Sequence, residues 1–383
     1  MVNPSVVELT SELIRCHPIY RSLGVFDALD IAELQLKRLG LDCDVRPRGR
    51  GRQITATHAF AQDGPHVIVN GHIDIESVAD EAGWSVPGLW RSGNLREGRI
   101  HGAGANDMLG GVAVTIATLH ELVRREELTG RITVQFVVGR HLGGAGTADL
   151  LADLDLPGVD LAVLTEPTDR HVCTAAYGSV QYRLSSTGTA GAMAGATDRE
   201  NAATHAAMAL LALNTANSRL QEIYPTRQGI RYILPGMIHA GEEAAVPATE
   251  AQVDFAMALP PLLPEEVALE VVRQSLLDRF AASDTPLPVW ERYGPHFPPT
   301  DLGHSAFAAL VRNVNPALRW CQYPCPSDAR VFQDAGIPVV LYGPGDHSRT
   351  RRPNEYVETG ELYESVTTLS TALSRWLSEG SES

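Results

Sequence analysis

Three short clusters in this sequence carry residues that could do chemistry. Asn70-Gly71-His72-Ile73-Asp74 follows the apolar run Val67–Val69 directly. A histidine at the C-terminal end of a strand points into the crevice where open α/β sheets place their sites. Asp74 is well placed to orient it, as a carboxylate commonly does behind a metal-binding imidazole. A His-x-Asp pair taken alone is a weak signal, and a plain structural pair is its default reading. The second cluster is Gly98-Arg99-Ile100-His101-Gly102-Ala103-Gly104-Ala105-Asn106-Asp107, running on through Met108-Leu109 to Gly110-Gly111. Its glycines let the backbone pass close to something, and Asp107 stands just before a helix, where an ordinary N-cap is the bland alternative. The third, Leu164-Thr165-Glu166-Pro167-Thr168, puts a carboxylate at another strand end.

The elements that must position these clusters are legible in the periodicity. Helical spacing is read over Val6–Ile14, Val25–Leu39 and Gly111–Val123, and buried-strand runs at Gln53–Thr57, Val67–Val69, Ile132–Val138 and Leu161–Leu164. Strands alternating with helices predict an α/β sheet covered on both faces. Near Tyr177 the pattern changes to strand Val180–Leu184, helix Asn201–Leu213, strands Gly229–Ile238 and Ala251–Met257, helix Pro264–Phe280 and strand Leu287–Arg292. That β-α-β-β-α-β order suits a ferredoxin-like α+β domain. From about Pro295 the α/β pattern returns. The predicted organisation is therefore an α/β domain over residues 1–177 and 295–383, with a small domain inserted over residues 178–294.

Composition narrows the function classes. With 383 residues, 44% of them apolar, two domains are the default, and a formal net charge of -15 argues against a nucleic-acid or anionic-membrane partner. Lys37 is the only lysine, so nearly all positive charge is arginine. No signal-peptide core and no bilayer-spanning apolar run is present, so a cytoplasmic location is expected. Five cysteines are read as reduced thiols, with Cys321 and Cys325 a possible but unaccompanied metal pair.

In their order and spacing the three clusters resemble the M20 family of dinuclear-zinc amidohydrolases and peptidases. Trp84 with Pro87, Ser327-Asp328-Ala329, Gly343-Pro344-Gly345-Asp346 and Asn354-Glu355-Tyr356-Val357 extend the likeness over almost the whole chain. The resemblance implies an M20-type catalytic domain whose inserted domain serves as lid or dimerisation surface. In that family two zinc ions share a bridging Asp, and a Glu base activates the water between them. His72, Asp107 and Glu166 match the ligands of the first zinc, and Asp74 matches the carboxylate behind His72. The family's Glu base corresponds to Arg140, the ligand beside it to His141, and the last His ligand to Arg351. His347 is close by but falls at a different aligned position. In the inserted domain, family substrate contacts fall at Ala192, Ala244 and Ala256.

Arginine cannot serve as a base or ligate zinc in its charged form. At the six aligned positions the family has four negative charges. This chain has two negative (Asp107, Glu166) and two positive (Arg140, Arg351), so the side chains balance without a metal. Arg351 against Asp107 is the expected pair. The charge count favours a site with no cofactor. The other reading keeps one zinc on His72, Asp107 and Glu166.

Two enzymatic readings follow, and a third in which the chain is a catalytically silent binding subunit. The first is an M20-like enzyme that has lost dinuclear-zinc hydrolysis and acts on a small amino-acid-like or N-acyl metabolite. In it Arg140 and Arg351 hold a carboxylate or oxyanion, while His141 or His72, backed by Asp74, moves protons. The second is a single-zinc amidohydrolase or deacylase with a relocated base. The expected partner is a small molecule, and a homodimer through the inserted domain is implied by the resemblance.

Overall fold

The structure is a computed structural model and describes residues 4–48, 51–78, 80–152, 158–225, 230–281, 283 and 285–379, without the side chains of Arg46, Arg48, His141 and Glu379. The chain divides into two compact units: Met1–Ala175 with Asp301–Tyr323 and Ser327–Ser383, and Ala176–Thr300 with Pro324–Pro326.

The first unit is built on one sheet. Its strands lie in the order Asp42–Arg48, Gly51–Ala59, Arg131–Val137, His66–His72, Leu161–Leu164, Val339–Leu341 and Val172–Ala176. The four central strands from Arg131–Val137 to Val339–Leu341 are mutually parallel. Such strands, covered on both faces, need continuous rather than alternating apolar residues. His66–His72 is buried along its whole length, as is Leu161–Leu164. Helix Gly110–Leu122 is apolar nearly all round because it too is buried, and it packs against helices Thr359–Glu379 and Val6–Arg15. This arrangement brings the C-terminal ends of His66–His72 and Leu161–Leu164 side by side, so His72 and Glu166 emerge from neighbouring strands.

Glycines let the backbone close around the second of these ends. A Cβ at Gly111 would stand 2.0 Å from the Thr165 carbonyl oxygen, and one at Gly343 would stand 2.6 Å from that of Glu166. Periodicity does not reveal the small sheet of Tyr356–Glu358, Arg99–His101 and Asn94–Arg96. Each of its strands has three residues, too few to show a period. Its register sets Tyr356 against His101 and so carries Glu355 to the glycine-rich segment.

The second unit is a four-stranded antiparallel sheet ordered Ile233–Ala240, Glu250–Leu259, Gly178–Thr187, Val289–Arg292. Helices Ala202–Ile223 and Glu265–Phe280 share its core with Val180, Tyr182, Leu184, Val253 and Phe255. The first helix runs ten residues past its predicted end at Leu213, because Ala216 and Leu220 continue its buried face. Across the sheet Arg183 grips Asp254 with two hydrogen bonds of 2.7 Å.

The cysteines depart from the reduced-thiol reading. Cys173 and Cys321 form a disulfide between strand Val172–Ala176 and its neighbour Trp320–Tyr323. Cys321 is thus committed to Cys173 and not to a metal pair with Cys325. Strand pairing, which sequence spacing does not encode, places the two sulfurs together with Cα atoms 4.5 Å apart. Among the described residues, no helix is long and apolar enough to cross a membrane.

Candidate metal centre

His72 closes the central strand with its ring buried and both nitrogens engaged. Nδ1 lies 2.9 Å from the backbone carbonyl oxygen of Asp74, and Nε2 lies 3.0 Å from Asp107 Oδ1. A carbonyl accepts only, so Nδ1 carries a hydrogen and Nε2 is the atom presented to Asp107. Asp74 therefore orients the imidazole through its main chain. Its carboxylate accepts a 3.1 Å hydrogen bond from Gly139 N–H, which anchors the segment leading to Arg140.

Asp107 arrives on an irregular turn, Ala105–Leu109, entered through Gly104 in the left-handed region at φ +81°. It does not cap helix Gly110–Leu122; its carboxylate turns inward to His72. The third member, Glu166, is 1% exposed and held at both oxygens, by Ser327 Oγ on Oε1 and Tyr323 Oη on Oε2, each at 3.1 Å. One donor atom each from His72, Asp107 and Glu166 lie within 4.8 Å of one another. An imidazole nitrogen and two carboxylate oxygens, all buried and convergent, fit a single zinc with room for a further ligand. A cluster capable of coordinating one metal ion is present, and its survival speaks against complete loss of metal binding.

Arg140 lies against this trio. Its Nη1 is 3.7 Å from Asp107 Oδ2 and its Nε 4.0 Å from Glu166 Oε1, with the side chain 13% exposed. The electrostatics follow. Burial opposes a charge on His72, but the hydrogen bond and charge of Asp107 push its pKa up to about 9. Burial would raise the Asp107 carboxyl, yet the Arg140 charge and the His72 hydrogen bond hold it well below the usual range. Asp328, tied by Thr147 Oγ1 at 2.5 Å, is pushed up to about 6 by burial.

Arg351 takes a different partner from the one expected. Its guanidinium pairs with Glu76 instead of Asp107. The reason is local backbone: Arg351 sits at φ +60°, its N–H donates to Glu355 Oε2 at 3.1 Å, and its side chain is 51% exposed. Of the two arginines, it is Arg140 that pairs with Asp107. Arg351 does line the same cavity as His72, Asp74, Asp107 and Arg140. The side chain of His141 lies outside the described residues.

Several contributors go beyond the ligand, base and pairing assignments. Glu355 is buried between the N–H groups of Asn106 and Arg351, and burial pushes its carboxyl up to about 8. Ser327 and Glu355 stand within motifs visible in the sequence, but their roles depend on contacts across more than 150 residues. Tyr323 has no motif to signal it.

A parallel α/β sheet thus carries His72 and Glu166 at neighbouring strand ends and Asp107 on an adjoining turn, the arrangement of a candidate metal site. The description "Peptidase family M20/M25/M40" matches residues 68–375, and the chain belongs to that family. It is similar over 82% of its length to the N-formyl-4-amino-5-aminomethyl-2-methylpyrimidine deformylase of Bacillus subtilis, at 27% identity and with 80% of that protein covered. A succinyl-diaminopimelate desuccinylase of a Bradyrhizobium species is 30% identical over 172 residues, 43% of this chain and 44% of that protein. Among solved structures, the di-peptidase Dug1p of Saccharomyces cerevisiae superposes with a TM-score of 0.73 over 98% of this chain and 96% of its own, at 15% identity, a likeness of fold. The chain is an atypical M20 amidohydrolase relative with a three-residue cluster capable of holding one metal ion.

Proposed function

We propose that this protein is a single-zinc amidohydrolase or deacylase acting on an amide or N-acyl bond of a small, amino-acid-like metabolite. The observation that carries this reading is the convergence of His72, Asp107 and Glu166 within 4.8 Å. The deformylase and desuccinylase among its relatives, both named for removal of an acyl group, support the reaction class. When bound, zinc supplies polarisation of a carbonyl and a lowered pKa for water.

The chain's own residues do the rest. Arg140, always charged, neutralises the carboxylates and is the donor best placed to face an oxyanion or substrate carboxylate. Arg351, on the rim of the same cavity, is read as a second anchor for a carboxylate. Proton movement falls to Asp74, which borders the cavity, or to His141 beside Arg140. A metal-free enzyme is the second reading, favoured by the contact of Arg140 with both carboxylates. We read the small unit as a ferredoxin-like domain through which two copies pair. Its strand order supports this, as do the exposed Leu234, Met237 and Ile238 on edge strand Ile233–Ala240.

Elemental analysis of the purified protein, joined to assays on formyl and succinyl amides with and without chelator, tests the proposal. Roughly stoichiometric single zinc and chelator-sensitive hydrolysis are expected. Turnover unchanged in zinc-free protein would establish the second reading instead.

A further inference from the structure

Glu166 is held by a chain of hydrogen bonds that ends on a histidine outside the ligand trio. Tyr323 Oη lies 3.1 Å from Glu166 Oε2 and 3.3 Å from His347 Nδ1. The two rings meet edge to face, with centroids 5.2 Å apart. Tyr323 is fully buried at the end of strand Trp320–Tyr323, and His347 opens the short turn His347–Arg349. The phenol has one proton and an ionised carboxylate can only accept. Both contacts are made together when the Tyr323 proton goes to Glu166 and His347 Nδ1 brings its own hydrogen to the phenol oxygen. His347 thereby fixes the direction of the Tyr323 hydroxyl, and Tyr323 fixes Glu166.

We propose that Tyr323 and His347 are positioning residues for the metal centre, acting in series to aim the Glu166 carboxylate at the cation. Ser327, on the other oxygen, completes the grip. Hydrogen-bond partners of metal ligands set ligand orientation, and their loss typically costs about 10–100-fold in metal affinity. The inference rests on the single-zinc reading.

Zinc affinity of the full chain, measured by competition with a chromophoric chelator, tests it, together with the absorption spectrum of the cobalt-loaded protein. Tyr323→Phe and His347→Ala are each expected to weaken zinc by about 10–100-fold and to alter the cobalt spectrum. Because the two act in series, the double variant is expected to be no weaker than Tyr323→Phe alone. His347→Asn, which keeps an N–H near the Nδ1 position, is expected to restore most of the affinity lost in His347→Ala. Wild-type protein that takes up no zinc would sink the single-zinc reading and this inference with it. Wild-type protein that binds zinc, with His347→Ala binding equally well or the two losses simply adding, would overturn only the positioning role.

Discussion

Arg140 stands 3.7 Å from the Asp107 oxygen that faces away from His72, while His72 Nε2 lies 3.0 Å from the other. The Asp107 carboxylate thus bridges a cationic side chain and a buried imidazole that belongs to the candidate metal cluster. We propose that the guanidinium takes the electrostatic role that a second zinc has beside the bridging aspartate of the M20 family. A fixed charge there stabilises the carboxylates without metal and opposes cation binding beside it.

Replacing Arg140 with the uncharged, similarly long methionine separates these two effects. Metal-free Arg140→Met is expected to lose at least about 1–3 kcal/mol of stability, because two buried carboxylates lose their cation. Its zinc affinity is expected to rise. Urea unfolding in chelator and a zinc competition titration measure the two quantities; unchanged affinity would remove Arg140 from the electrostatics of the site.

Rebuilding the family positions requires more than one change. Arg140→Glu alone is expected to leave dinuclear hydrolysis absent, since His72, Asp107 and Glu166 form the one candidate ligand group among the described residues. Arg140→Glu, His141→Glu and Arg351→His together should raise zinc affinity sharply and bring uptake towards two ions per chain, as read by elemental analysis. Activity is expected to stay low, because the resemblance implies that Ala192, Ala244 and Ala256 replace family substrate contacts. Uptake of only one ion by the triple variant would contradict the carried-over ligand positions.

Three buried groups give the metal-free protein an unusual pH dependence. Asp328 is pushed from an ordinary 3.8 up to about 6, Glu355 from 4.5 up to about 8, and His72 from 6.5 up to about 9. In each case the folded protein keeps a proton that the unfolded chain releases. The stabilisation is complete below the unfolded pKa and is lost as pH rises through the folded one. Chemical denaturation in chelator should therefore show stability falling from about pH 6.5 to about pH 9, above the range in which His66, lowered from 6.5 to about 4 by burial, gives the opposite slope. Glu355→Gln is expected to flatten the portion between 4.5 and about 8. Zinc must displace the His72 proton, so its affinity should climb with pH up to about 9. Stability that rises across this range would contradict the buried, protonated Glu355.

The Cys173–Cys321 bond closes a loop of 148 residues in sequence. Alkylation and mass spectrometry without reductant should label Cys16, Cys43 and Cys325 while sparing this pair. Replacing both bonded cysteines with serine is expected to cost about 2–4 kcal/mol, mostly by releasing the unfolded chain. Full labelling of Cys173 and Cys321 before reduction would show the thiols to be free.

The sequence by itself determined the alternation of strands and helices, the change of pattern near Tyr177, and the positions of His72, Asp107 and Glu166. Apolar periodicity and strand-end motifs are written in contiguous residues, and a few neighbours suffice to read them. Only the tertiary structure decided which charge meets which. Arg140 and Arg351 are equivalent in a count of charges, yet one packs on Asp107 and the other, held at φ +60° by Glu355, turns to Glu76. The Cys173–Cys321 pairing and the grip of Tyr323 and Ser327 on Glu166 likewise join residues about 150 positions apart. Such contacts follow from which strands become neighbours and where each backbone turns, and side-chain spacing along the chain carries no trace of either.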